Sequence, residues 1–312
     1  MKVLIVANNK SARFSPFIIE QVVAIKKLGV EFEYFGVSGK GVLGYLKCLP
    51  AMKRKIKEFK PDVIHAHYGL SGLLANLQRK VPVVATFHGS DIHSLGLNLK
   101  LSKICMRLSA YNIFVSQYLQ DIAKYRGENY LVQACGLDID TITPVDQKTA
   151  RGYLGWDMDK KYVLFSGSFT NKIKNFPLAK EAIEKIQGVE LVELKGFSRT
   201  DVSLLMSACD CLLLTSFREA SPTVIKEAMA CDRPIVTTDV GDVRWTMGNT
   251  EGCYITSYDA DDCAEKLKQA IEFAKDKGAT IGRNRIIEIG LDHNTVANKI
   301  FSIYSSTITN IK

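Results

Sequence analysis

Short Val- and Ile-rich runs recur along the 312-residue chain, each followed by apolar residues at helical spacing and then by another such run. The runs predict strands near 2–7, 31–36, 62–66, 82–87, 111–115 and 129–133. After a polar break from Asp138 to Lys160 the pattern resumes, with strands near 161–167, 189–194, 211–215, 234–237 and 253–256 and terminal helices near 261–274, 278–289 and 293–309. Ser15-Pro16 and Leu28-Gly29 bracket the first helix, with proline at its start and glycine at its end. Near-continuous apolar strands alternating with helices imply parallel sheets covered on both faces. The fold class is therefore α/β, two doubly wound domains, predicted at 1–144 and 145–292 with a last segment at 293–312. In such sheets ligands bind beyond the carboxyl ends of strands, so the residues after each strand are the ones to inspect.

Composition narrows the classes. The chain starts on an apolar strand pattern, Met1 to Ala7, too short for a secretory signal, and holds no apolar run of about 18 residues, so any membrane association is expected to be peripheral. A cytoplasmic protein is expected. Eight scattered cysteines without paired spacing read as reduced core residues. The net charge of +8 is too modest to argue for a nucleic-acid partner. Its distribution is uneven: residues 1–144 hold 19 Lys/Arg against 10 Asp/Glu, and residues 145–312 hold 22 against 23. Lys47, Lys53, Arg54, Lys55, Lys57 and Lys60, with Glu58 as the only acid among them, form a basic helix that reads either as a solvated face or as a contact for an anionic membrane surface.

The most informative stretch is Thr215 to Cys231 (TSFREASPTVIKEAMAC), which follows the apolar strand Cys211 to Leu214. Ser221 can cap a helix with Pro222 at its first position, leaving the amides of Thr223 and Val224 free for an anion such as a diphosphate. Glu227 lies four residues on, about 6 Å along the axis at ~1.5 Å per residue, roughly the reach from a phosphate to a ribose hydroxyl. Glu219 stands in the loop before the cap, where it can face what is attached beyond the phosphates.

These residues resemble the family 4 retaining glycosyltransferases, whose GT-B fold sets two Rossmann-like domains across a cleft. The family's paired-Glu element is present as Glu219 and Glu227, closed by Glu-Ala-Met-Ala-Cys231. Asp232 to Gly241, Val163 to Ser168 with Lys174, Pro61 to His67, Ala85 to Asp91 and Cys135 to Asp138 extend the likeness over nearly the whole chain. The resemblance implies transfer of a sugar from a nucleoside diphosphate, UDP or GDP type, to a lipid-linked or glycan acceptor hydroxyl with retention, in cell-surface polysaccharide or glycolipid synthesis. It needs no cofactor and no metal. By the same resemblance Glu227 holds the ribose, Glu219 contacts the transferred sugar, and Lys174 binds the diphosphate beside Gly167. His88 lies near the reacting centre, Gly196 opens the base-binding loop, Arg13 and His67 contact the acceptor, and the terminal helix returns to the first domain. Where the family has an Arg after the glycine, this chain has Ser168; either Lys172 supplies the second charge or phosphate stabilisation is weaker. The catalytic set is thus His88, Glu219 and Lys174.

Three other readings compete. A metal hydrolase would use His65, His67, His88, Asp91 and His93. A non-catalytic GT-B subunit is motivated by Ser168. A nicotinamide dehydrogenase fits worse, because no Gly-x-Gly-x-x-Gly follows a strand.

Overall fold

The computed structural model describes residues 1–9, 14–39, 41–93, 96–197 and 201–309. The chain divides into two units, Met1–Gly136 with His293–Lys312, and Leu137–Asp292. The division falls eight residues before the expected 144/145 boundary. The segment after Gly136 is already tied into the second unit: Leu137 N donates to Leu291 O at 2.8 Å, Thr143 N to Ser203 Oγ at 3.2 Å and Val145 N to Ser207 Oγ at 2.9 Å.

The first unit runs β1 (Lys2–Asn8), α1 (Pro16–Lys26), β2 (Glu31–Val37), α2 (Gly41–Lys47), α3 (Leu49–Phe59), β3 (Val63–His67), α4 (Gly69–Asn76), β4 (Val83–Phe87), α5 (Ser90–His93), α6 (Leu97–Leu108), β5 (Tyr111–Phe114), α7 (Gln117–Ala123) and β6 (Tyr130–Val132). Its strands are parallel in the order β2-β1-β3-β4-β5-β6. Alternation along β1 splits the core. Val3 and Ile5 face Ile18, Val22 and Ile25 of α1, whereas Leu4 and Val6 face Met52 and Ile56 of α3 and Leu74 of α4. The last helix, α15 (His293–Thr309), completes the first of these layers with Val296, Ile300, Ile303 and Tyr304.

The second unit runs α8 (Gln147–Leu154), β7 (Lys161–Phe165), a 3₁₀ turn (Lys172–Lys174), α9 (Phe176–Glu184), β8 (Val189–Glu193), α10 (Val202–Ala208), β9 (Cys211–Leu214), α11 (Thr223–Ala230), β10 (Ile235–Thr238), α12 (Val243–Met247), β11 (Cys253–Thr256), α13 (Ala260–Lys277) and α14 (Gly282–Glu288). Its order is β11-β10-β9-β7-β8, again parallel. The expected polar break contains α8: Asp146 Oδ2 accepts from Thr149 N at 2.9 Å, and Gly155 closes the helix at φ 69°.

His65 couples the sheet of the first unit to α15. Nδ1 is hydrogen-bonded to Tyr304 Oη at 2.6 Å and Nε2 to Thr86 Oγ1 at 2.7 Å, all within the core. Burial penalises the imidazolium and pushes the His65 pKa down to about 3. The folded state then refuses a proton that the unfolded chain accepts below about pH 6.5, so acidification from there toward 3 removes stability, at up to about 1.4 kcal/mol per pH unit. His65→Gln should flatten the acid limb of a plot of urea midpoint against pH; a limb as steep as wild type would contradict this account of His65.

Candidate functional site

In the second unit the chain leaves β7 toward β8 on one side and returns to β9 on the other, so β7 and β9 flank the topological switch point. The segments that follow these two strands meet there. Lys174, from the 3₁₀ turn, donates to Glu219 Oε1 at 2.8 Å, and Ser216 Oγ donates to the same oxygen at 2.8 Å. Thr215 Oγ1 donates to Lys174 O at 2.8 Å and Phe217 N to Ile173 O at 2.9 Å, so backbone as well as side chains lock the two segments. The pair is mostly shielded from solvent, at 18% and 20% side-chain exposure. An ammonium has three donors, which leaves Lys174 two for another acceptor.

Two glycines make this geometry possible. A Cβ at Gly167 would stand 3.2 Å from Lys174 Cε, so the glycine leaves room for the lysine stem. Gly241 lies in the turn after β10 at φ 61°, and a Cβ there would be 2.6 Å from Ala220 O and 3.0 Å from Glu219 O. Thr238 Oγ1 and Tyr258 Oη also donate to Ser216 O, at 2.8 and 3.1 Å.

Helix α11 starts at Thr223, one residue later than the sequence reading places it. Pro222, not Ser221, occupies the cap position, with extended ψ of 117°, and no side chain caps the helix. The expected Ser221 cap is thus corrected: its buried hydroxyl faces the Asp242 carboxylate instead of a helix amide, and Pro222 supplies the carbonyl that Ile225 N reaches at 3.3 Å. Thr223 and Val224 remain the first-turn amides. Glu227 is 4% exposed and Lys226 only 1%. Asp242, after the glycine turn, is pushed above the usual carboxylate range by burial, with Lys226 opposing that shift.

Ser168 sits where a second cation was expected. Its hydroxyl is 2.8 Å from Thr170 Oγ1, and Glu193 from the end of β8 accepts from Phe169 N at 2.7 Å. The Phe169 amide and the Ser168 hydroxyl hold Glu193 below the usual carboxylate range. Lys172 is exposed. Gly196 turns the chain after β8 at φ 82°, and no described hydrogen bond joins it to Lys174 or Glu219. Arg13 lies outside the described residues.

The first unit holds the remaining candidates. His67 is fully buried, stacked 4.4 Å from the His65 ring, and its Nδ1 is hydrogen-bonded to His88 Nε2 at 3.0 Å. Burial, then the neighbouring His65 and His88, keeps His67 well below the usual imidazole range. His88 packs between Phe17 and Tyr68, ring centroids 4.7 and 4.8 Å away. The metal grouping is not assembled. Both His65 nitrogens are engaged as described, and Asp91 accepts from Gly69 N, Gly89 N and His88 N at 3.0, 2.9 and 3.2 Å. Burial pushes Asp91 up to about 6 against these bonds. Among the described residues no group of three or more His, Cys, Asp or Glu is placed to hold a metal ion. Beside His88, beyond β1, β3 and β4, lies a cavity of about 510 Å³ lined by Asn8, Ser15, Tyr45, Tyr68, Ser90 and Asn98 among others.

Sequence reasoning missed Thr215, Ser216, Lys226 and Asp242. The first two follow strand β9 directly and were within reach of the strand-end rule; a fully buried lysine has no sequence signature.

This architecture, two doubly wound parallel α/β units with a helix-start site at the switch point of the second, defines a class that comparison with known proteins makes specific. A family profile described as Glycosyltransferase Family 4 matches residues 5–140, and one described as Glycosyl transferases group 1 matches residues 177–272. The chain belongs to the family 4 glycosyltransferases, with the GT-B fold. Bacillus subtilis TuaC, whose name places it among glycosyltransferases of teichuronic acid biosynthesis, is 26% identical over 68% of this chain. The chain spans 62% of that relative's length. A Campylobacter jejuni N,N'-diacetylbacillosaminyl-diphospho-undecaprenol α-1,3-N-acetylgalactosaminyltransferase is 21% identical over 68% of this chain and 64% of its own. Among solved structures, sucrose-phosphate synthase from Thermosynechococcus elongatus superposes with a TM-score of 0.84 at 16% identity, covering 99% of both chains. Anabaena HepE, solved in complex with UDP, gives 0.79 at 21%, covering 98% of this chain and all of its own.

Gly241→Ala tests the backbone arrangement. It should lower stability by more than about 1 kcal/mol, through a left-handed φ and the collision with Ala220 O, as read by thermal unfolding. An unchanged midpoint would show that the glycine turn does not set the position of Glu219.

Proposed function

We propose that the chain is a retaining glycosyltransferase that moves a hexosyl group from a nucleoside diphosphate sugar, UDP or GDP type, to a hydroxyl of a lipid-linked or glycan acceptor. The observation that carries this reading is the Lys174–Glu219 pair at the β7/β9 switch point, followed after four residues by the α11 amides and then by the buried Glu227. In this reading the amides of Thr223 and Val224 and the two remaining donors of Lys174 take the diphosphate, Glu227 takes the ribose, and Glu219 takes hydroxyls of the sugar. As the bond from the anomeric carbon to the phosphate oxygen breaks, charge grows on the leaving diphosphate where these donors are already fixed. The departing oxygen accepts the acceptor's proton, and the new bond forms on the same face of the sugar. Glu219, already held by Lys174 and Ser216, serves binding and is not an attacking group.

The acceptor class rests on the relatives: one is named for a diphospho-undecaprenol-linked acceptor and another for teichuronic acid biosynthesis. The polar and aromatic cavity beside His88 is the proposed acceptor pocket, with His88 near the reacting hydroxyl. No helix among the described residues is long and apolar enough to cross a membrane. On α3, Lys53, Arg54 and Lys57 are exposed whereas Lys55 pairs with Glu33, and the basic stretch 47–60 is proposed to hold the enzyme peripherally on the cytoplasmic, anionic membrane face. A non-catalytic subunit is the second reading, favoured by Ser168 where a cation was expected, with the Glu193 carboxylate beside it; donor binding without transfer or hydrolysis would select it.

Calorimetric titration of UDP, GDP, ADP and TDP tests the donor site. One nucleotide should bind wild type, and Glu227→Ala should weaken it by more than about 1 kcal/mol, the scale of a hydrogen bond to a charged group. Absence of binding by all four, with or without magnesium, would overturn the proposal.

A further inference from the structure

The first unit carries another cavity, rimmed by cations, on the edge of its sheet opposite His88. Helix α6 ends two residues before Ala110, and Tyr111 opens β5; residues 124–129 lead into β6 at Tyr130. In a parallel sheet both places lie at the amino ends of strands. Between them is a cavity of about 430 Å³ lined by Lys103 and Arg107 from α6, Lys124 and Arg126 from the loop, and Tyr125 and Met106 among others. Among the described residues no carboxylate lines it. Asp121, the acid before the loop, accepts from Gln117 Nε2 at 2.8 Å, and Glu128, after it, is exposed. None of the four cationic heads has a described hydrogen bond or ion pair.

The walls are fixed by hydrogen bonds that do not involve these cations. Gln120 Nε2 donates to Tyr125 O at 2.7 Å, and the Tyr125 phenol donates to Asn129 Oδ1. Asn129 Nδ2 in turn donates to Ser109 O and Ala110 O at 3.1 and 2.9 Å, which clamps the loop to the end of α6. A Cβ at Gly127 would collide with the Tyr125 phenol, so the ring can fold over this residue only because it is glycine. Lys124 itself is held at φ 51°, a left-handed helix-end conformation that a glycine adopts without strain. Four cationic side chains line one concave wall, and an anion placed there can accept from several of them at once. Arg and Lys supply forked and point donors suited to phosphate oxygens.

We infer that this cavity binds a phosphate-bearing ligand, independently of the proposed donor site, which lies in the other unit. Tyr125 and Met106 provide an apolar wall for the group esterified to the phosphate. Ile104 and Leu108, exposed at 44% and 38% on the same helix, suit a lipid headgroup as the source; a soluble phosphate ester is the other source of the same chemistry.

The test titrates inorganic pyrophosphate into the full chain while following backbone amide NMR shifts, and in parallel sediments the protein with phosphatidylglycerol and phosphatidylcholine vesicles. Wild type is compared with Lys103→Gln/Arg107→Gln/Lys124→Gln/Arg126→Gln and with the milder Lys124→Gln/Arg126→Gln, whose two sites are exposed. The expected result is saturable shifts at the amides of residues 124–127, at least tenfold weaker in the quadruple variant and several-fold weaker in the double. Loss of phosphatidylglycerol sedimentation in the same variants assigns the lipid source, and wild-type sedimentation with the shifts lost assigns a soluble phosphate. No saturable shift at 124–127 together with equal sedimentation of all three proteins overturns the inference. Shifts confined to the second unit, which would report the donor site, overturn it as well.

Discussion

The hydrogen-bonded ion pair between Lys174 and Glu219 joins two segments that leave neighbouring strands in opposite directions. Its position follows from topology: a doubly wound sheet opens at one point along its carboxyl edge, and there the β7 and β9 segments are the only ones adjacent. The sequence supplies the local means. Gly167 makes room for the lysine stem, Thr215 and Ser216 pin the backbone, and Gly241 allows the next turn to approach Glu219. Because Lys174 offsets the charge of Glu219, the carboxylate compensates less of the positive end of α11, which is left to attract an anion.

The interior behind α11 is unusually polar for a helix core. Lys226 is fully buried and the Asp242 carboxylate nearly so, and burial raises the latter toward neutrality while the lysine resists. The opposite charges of Lys226 and Asp242 act on each other in this interior, which offsets part of the cost of burying them. In the first unit the polar core is arranged differently: burial keeps His65 and His67 neutral, and the column they form with His88 ends at Phe17 and Tyr68. Tyr304 reaches the column from the far end of the chain, so the last helix belongs to the first unit through a buried hydrogen bond as well as through packing.

Fold class was readable from the sequence because parallel strands buried on both faces leave near-continuous apolar runs, and the eleven expected strands coincide with β1 to β11 within a residue or two. The paired acids stood out in the sequence because a strand, a loop and a proline-capped helix follow one another without interruption. Elsewhere local pattern was too weak. Helix α8 has only eight residues and a polar exterior, so it read as a break despite Asp146 and Gly155 at its ends. Ser221 and Pro222 exchanged roles because cap position is decided by ψ, which sequence does not display. Lys226 would be expected in solvent from composition alone. The cationic cavity draws on α6 and on residues 124–126, about twenty positions apart, so neither segment shows a charge run.

The central claim is that Lys174 and Glu219 work as one unit in holding the nucleotide sugar. A double-mutant cycle with Lys174→Met and Glu219→Gln, read as affinity for the nucleotide sugar by calorimetry, tests it directly. Both single variants should bind more weakly, and the double should lose at least 0.5 kcal/mol less than the sum of the two, since contacting residues couple on a scale of about 0.5–3 kcal/mol. Losses that simply add, or single variants that bind as wild type does, would contradict the account.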